Sequence, residues 1–160
     1  YGLYKGKTAT VEELSEGAQI AVPNDPSNEV RALRLLEAQG LIKLNDGVDL
    51  EATKLDIAEN PLNLEIVEME AAQLPGTLSS VDMAVINGNY AIDAGLNLTD
   101  DTVAIEDPES ESVGQYANVL VVKEGNEENE GIKALIRALQ SEKVRDFINE
   151  KYSGAVVALF

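Results

Sequence analysis

The sequence predicts an α/β layer fold with a mixed, largely parallel sheet. Short apolar runs of strand length, such as Ile20-Ala21-Val22 and Val81–Ile86, alternate with stretches whose apolar residues recur at helical spacing. Runs that are apolar at nearly every position suit strands covered on both faces, as in parallel sheets flanked by helices. The length of 160 residues, with 44% hydrophobic and 26% charged, is enough for a real core.

Taken in order, Tyr1–Tyr4 is aromatic and strand-like, and Thr10 with Glu13 resembles a capping box, predicting a short helical turn that ends near Gly17. Ile20–Val22 is the first long strand, and Pro23 stops it. Asp25 then reads as an N-cap, with Pro26 at the first helical position. Val30, Leu33 and Leu36 line one helix face, and Gly40 is the stop. Leu41–Leu44 is an extended piece closed by Asn45-Asp46-Gly47. Thr53–Asn60 is predicted as a short helix ended by Pro61, Leu64–Met69 as a strand, and Glu70–Ser80 as a short helix. The strand Val81–Ile86 runs into Asn87-Gly88-Asn89-Tyr90 and a short helix ending at Gly95. Val103–Glu106 and Ala117–Val122 are the last predicted strands. Ile132–Leu139 is an amphipathic helix. Ser141 caps another, carrying Val144, Phe147 and Ile148, and the apolar tail Ala155–Phe160 is expected to pack.

Composition narrows the function. A net charge of −17, from 29 acidic against 12 basic residues, argues against nucleic acid and against an anionic membrane surface. No apolar run approaches the roughly 20 residues that span a bilayer. Without cysteine there is no disulfide, thiolate metal site or cysteine nucleophile. Without histidine the commonest general base and transition-metal ligand is gone, which weakens every enzyme reading. Glu65, Glu68 and Glu70 point to both sides of a strand and read as solvated, as does the loop run Glu127, Glu128 and Glu130. No phosphate-loop or calcium-loop spacing is present. No catalytic group, metal site or cofactor is predicted.

Parallel sheets bind ligands at the carboxyl ends of their strands. Two such ends carry polar groups, at Asn24–Arg31 and Asn87–Tyr90. A strand-to-helix turn aims backbone N–H groups and the positive end of a helix dipole at one spot. Arg31, a turn further in, offers a planar fork of donors suited to a carboxylate. The plainer alternative is an ordinary connection with a solvated arginine.

Three segments in register, PNDPSNEVRALRLLEAQGLIKL, EAAQLPGTLSSVDMAVINGNYAIDAGL and QYANVLVV, resemble the methionine-binding lipoproteins that serve ABC importers. The likeness runs on to the ending KYSGAVVALF. It implies a type II periplasmic-binding-protein-like fold, with two α/β lobes, crossing strands and an amino acid held in the cleft. On that pattern residues 1–16 are a crossing strand and linker from a first lobe mostly absent here. Residues 17–106 are the complete second lobe, and 107–160 are the returning strand and C-terminal helices of the first lobe.

The resemblance implies that Arg31 pairs with the ligand carboxylate and that Asn87 and Asn118 hold the zwitterion. Asn28, in the first helical turn, either contacts the ligand or satisfies local backbone. For Asn87 the alternative is a turn role beside Gly88, and for Asn118 a hinge hydrogen bond. Glu29 and Val30 stand where the family usually has two glycines, and Gly114-Gln115-Tyr116 where it has serine-proline-tyrosine. The implied function is capture of methionine or a close analogue for a membrane permease, by a protein lipid-anchored at the cell surface or in the periplasm. The alternatives are another small amino acid, a methionine-containing dipeptide, or an isolated lobe that binds no ligand. An uncovered apolar face at Ile132, Leu135, Leu139 and Phe147 is expected to seek a second copy of the chain.

Overall fold

The computed structural model describes residues 1–48, 50–107, 116–152, 154 and 156–160. The chain divides into two compact units, Tyr1–Glu106 and Asp107–Phe160.

The first unit carries β1 (Gly2–Lys5), β2 (Gln19–Pro23), β3 (Lys43–Leu44), β4 (Ile57–Glu59), β5 (Glu65–Met69), β6 (Met83–Ile86) and β7 (Thr102–Ile105). Five of these form a sheet in the order β5-β2-β6-β1-β7, and β3 and β4 form a separate ribbon. β2 runs parallel to β5 and β6, whereas β1 runs antiparallel to β6 and β7. Four strands therefore point one way and β1 opposes them. Gly2 pairs with both Ile86 and Ile105, so the start of β1 lies level with the ends of β6 and β7.

Side-chain alternation sorts the sheet into two covered faces. Leu3, Ile20, Val22, Met83 and Val85 pack with Ala32, Leu33, Leu35 and Leu36 of the helix α1 (Pro26–Ala38). Tyr4, Ala21, Ala84 and Ile86 face the other way, against Leu74, Val81 and Ala91. Leu74 opens α2 (Leu74–Thr77), and Ala91 lies in α3 (Gly88–Asp93). Burial on both faces is why these strands read as continuous apolar runs. Gly6, just past β1, fits only as glycine, because a Cβ there would lie 2.4 Å from the Val81 carbonyl oxygen and 2.7 Å from that of Leu78.

The β2–α1 junction forms as its residues dictate. Asp25 is the N-cap and accepts from the Asn28 amide at 3.1 Å, with Pro26 at the first position. Gly40 stops the chain beyond α1 at φ +70°.

Three local expectations are corrected. Thr53–Asn60 is not one helix. The Thr53–Asp56 capping box closes a single 3₁₀ turn, Lys54–Asp56, and the chain then extends into β4. The early turn is only Val11–Glu13, and the Thr10 side chain makes no cap bond, although Glu13 reaches back to the Ala9 amide at 3.3 Å. Residues 117–122 form no strand, and Val119 and Val121 are exposed.

The second unit carries α4 (Glu130–Leu139) and α5 (Glu142–Tyr152). Asn129 caps α4 by accepting from the Gly131 amide at 2.9 Å, and the Ser141 hydroxyl lies 3.4 Å from the Val144 amide at the start of α5. Leu135, Ile136, Leu139 and Phe147 are exposed, Phe147 to 55%. The tail is half-covered. Arg145 stacks on the Phe160 ring and donates to the Phe160 carbonyl, while Val157 and Leu159 stay exposed. Ala155, Gly114 and Gln115 lie outside the described residues. Among the described residues no helix is long and apolar enough to cross a membrane.

Candidate functional site

Four polar side chains of the first unit gather at the carboxyl edge of its sheet. α1 follows β2 and brings Asn28 and Arg31. Asn87 follows β6, and Glu106 follows β7. Tyr1 joins them because β1 runs against its neighbours, which sets its first residues beside their ends.

The amides and the phenol form one cluster. The Tyr1 hydroxyl donates to Asn28 Oδ1, and Asn87 Nδ2 donates to the Tyr1 oxygen at 2.7 Å. Asn28 Nδ2 donates to Asp25 Oδ2 at 2.9 Å, tying the cluster to the helix cap. Asn28 is thus engaged locally through both ends of its amide. Burial raises the Tyr1 phenol well above its ordinary range, so it stays a donor at neutral pH. Asn87 Oδ1 is buried and accepts no hydrogen bond among the described residues. A buried acceptor left so costs about 1–3 kcal/mol, which an incoming N–H donor would relieve.

Arg31 is held on two sides. Its Nε donates to Glu106 Oε1 at 2.7 Å and its Nη2 to Oε2, a bidentate pair. The Tyr1 ring lies against the guanidinium with its centroid 4.4 Å from Cζ. Arg31 is therefore not the solvated helix arginine of the plainer alternative; its side chain is 20% exposed.

A second charged group lies behind the first turns of α1. Glu29 is 2% exposed. Its Oε1 accepts from the Lys54 amide at 2.9 Å. Its carboxyl also bonds the Glu68 carboxylate, which pairs with the Lys54 ammonium. Burial, reinforced by the Glu68 charge, pushes the Glu29 carboxyl up to about 7, while the Lys54 contact lowers that of Glu68. Glu68 is thus engaged rather than merely solvated, because the first turn of α1 sets a carboxyl against β5.

Asn118 lies exposed in the second unit, and Tyr116 is half-buried there. Glu106 and Tyr1 were not legible as site residues. The one available signal was that Glu106 ends a predicted strand at the same sheet edge as Arg31.

A mixed, mainly parallel sheet covered on both faces, with polar groups gathered at its carboxyl edge, has the fold of a type II periplasmic-binding-protein-like lobe. The chain belongs to the NlpA lipoprotein family, whose profile matches residues 1–160. It is 45% identical over 156 residues to the D-methionine-binding lipoprotein MetQ of Escherichia coli K12, covering 96% of this chain and 56% of that protein. It is 48% identical to the membrane lipoprotein TpN32 of Treponema pallidum, covering 98% of this chain and 57% of that one. A nutrient-binding protein from Burkholderia cenocepacia bound to methionine superposes with a TM-score of 0.89 at 47% identity, over 99% of this chain and 66% of that chain. The chain thus spans a little over half the length of the curated relatives it matches.

Proposed function

We propose that this chain is part of a solute-binding protein of an ABC importer that captures methionine or a close analogue between two lobes. Residues 17–106 act as one lobe. Residues 1–16 act as a crossing segment whose strand β1 joins the sheet of that lobe, and residues 107–160 as the returning segment and C-terminal helices of the other. The relatives' names, a methionine-bound structural neighbour and the family itself support this reading. The observation that carries it is the meeting of Arg31, Asn87, Asn28 and Tyr1 at the carboxyl edge of one sheet.

The geometry suits a free amino acid. The Arg31 guanidinium receives the carboxylate, beside the positive end of α1. The buried Asn87 Oδ1 accepts from the ammonium, which gives that atom the donor it needs. Asn118 is assigned to the zwitterion by the family likeness, and Asn28 holds Tyr1 in place. The ligand stabilises a closed state through contacts made only there, and the permease recognises that state. No bond is made or broken. The protein works at the membrane, held by a lipid anchor.

Equilibrium dialysis of the protein as its gene encodes it, against labelled methionine, tests the proposal. Saturable retention that unlabelled methionine competes away supports it. No retention of any amino acid overturns it and leaves an interaction lobe without a ligand.

A further inference from the structure

Glu106 holds the arginine to which the proposed ligand carboxylate is assigned. Both of its oxygens accept from Arg31, its side chain is 13% exposed, and its own amide donates to the Tyr1 carbonyl at 2.9 Å. It is thus fixed through side chain and backbone at the end of β7. The α-amino nitrogen of Tyr1 lies 3.7 Å from Glu106 Oε2. In a chain continued before Tyr1 that nitrogen is an uncharged amide, and the charges at this edge include the guanidinium, Glu106 and Asp25, which bonds Asn28.

A half-buried arginine alone is a site for any carboxylate. With Glu106 held against it and Asp25 in the same cluster, its better complement is a molecule that carries a positive charge beside its carboxylate. A free α-amino acid is such a molecule, with an ammonium two bonds from its carboxylate carbon. With the ligand carboxylate on the guanidinium donors that Glu106 leaves, an ammonium on the same molecule offsets the negative charge that Glu106 brings to the site. A ligand without that ammonium brings a second negative charge toward Glu106, which costs affinity in a half-buried setting.

We propose that Glu106 is a positioning and specificity-determining residue, which orients Arg31 and makes the site select a zwitterion over a simple carboxylate. This deepens the methionine-binding reading and rests on it.

The test compares methionine with its des-amino analogue, 4-(methylthio)butanoate, by calorimetry on the protein as its gene encodes it. Wild type, Glu106→Gln and Glu106→Asp are measured alongside the Arg31 Nε–H signal by ¹⁵N NMR without ligand. The wild type should favour methionine strongly. Glu106→Gln should shrink that preference by about tenfold or more, and its Nε–H signal should exchange faster. Glu106→Asp, which keeps the charge, should weaken both ligands but retain the preference. A Glu106→Gln variant that loses affinity for both ligands equally, or not at all, overturns the proposal and leaves the methionine reading standing. A wild type that binds neither ligand overturns the reading itself, and the selectivity proposal with it. In that case the Nε–H signal still reports whether the ion pair forms.

Discussion

Replacing Glu29 with glutamine should remove a pH dependence built into the start of α1. In the folded chain the Glu29 carboxyl titrates near 7, against an ordinary value of 4.5, because it is buried and bonded to the Glu68 carboxylate. Between those values the folded state keeps a proton that the unfolded chain has released. Stability therefore falls as pH rises from about 4.5 to 7 and is level above that, where both states are ionised. Glu68 acts in the opposite sense, but its lowered value confines its effect to below 4.5. A displacement from 4.5 to 7 has a ceiling of about 3 kcal/mol. Solvent at the part-exposed Glu68 and Lys54 screens this to on the order of 1–2 kcal/mol. Glutamine keeps an oxygen to accept from the Lys54 amide and an N–H to donate to Glu68, so Glu29→Gln should retain the contacts and lose the slope. The assay is urea unfolding at pH 5 and pH 7.5. Wild type should lose on the order of 1–2 kcal/mol between them and the variant little. Equal losses in both would refute a proton held by Glu29.

Other perturbations follow from packing and pairing. Leu33→Ala removes a fully buried side chain between α1 and the sheet and should cost about 2–5 kcal/mol in chemical denaturation. Gly6→Ala sets a methyl group 2.4 Å from a backbone carbonyl that cannot give way, so it should destabilise by about 2 kcal/mol or more, read as a lower urea midpoint. The 160-residue chain should self-associate through the exposed Leu135, Ile136, Leu139 and Phe147, which sedimentation reads as mass above the monomer. Charging that face with Leu139→Lys should reverse it.

What the sequence disclosed depended on range. The β2–α1 junction was legible residue by residue, because a cap, a proline and a stop glycine act on their immediate neighbours. Val81–Ile86 was legible because double-faced burial leaves a continuous apolar run. Thr53–Asn60 misled because a capping box fixes where a turn begins but not how far it continues, and pairing with β3 drew Ile57–Glu59 into a strand. Residues 117–122 misled in the reverse sense, since an apolar run becomes a strand only beside a partner strand. At the site, Arg31 and Asn87 were reachable from turn chemistry and family likeness. Glu106 was not, because 75 residues separate it from the arginine it holds and only the sheet order, which lays β7 parallel to β2 and β6, brings their strand ends to one edge. The Glu29–Glu68 bond escaped for the same reason. It joins a helix to a strand, and strand alternation alone made Glu68 look solvated.

The central claim, that Arg31 receives the carboxylate of a free amino acid, is tested most directly by titrating methionine into the wild type and Arg31→Ala forms of the protein as its gene encodes it. Saturable heat in the wild type, and a loss of about 2 kcal/mol or more in the variant, is the expected result. Equal affinity in the two proteins, or conversion of the methionine into a product, would contradict it.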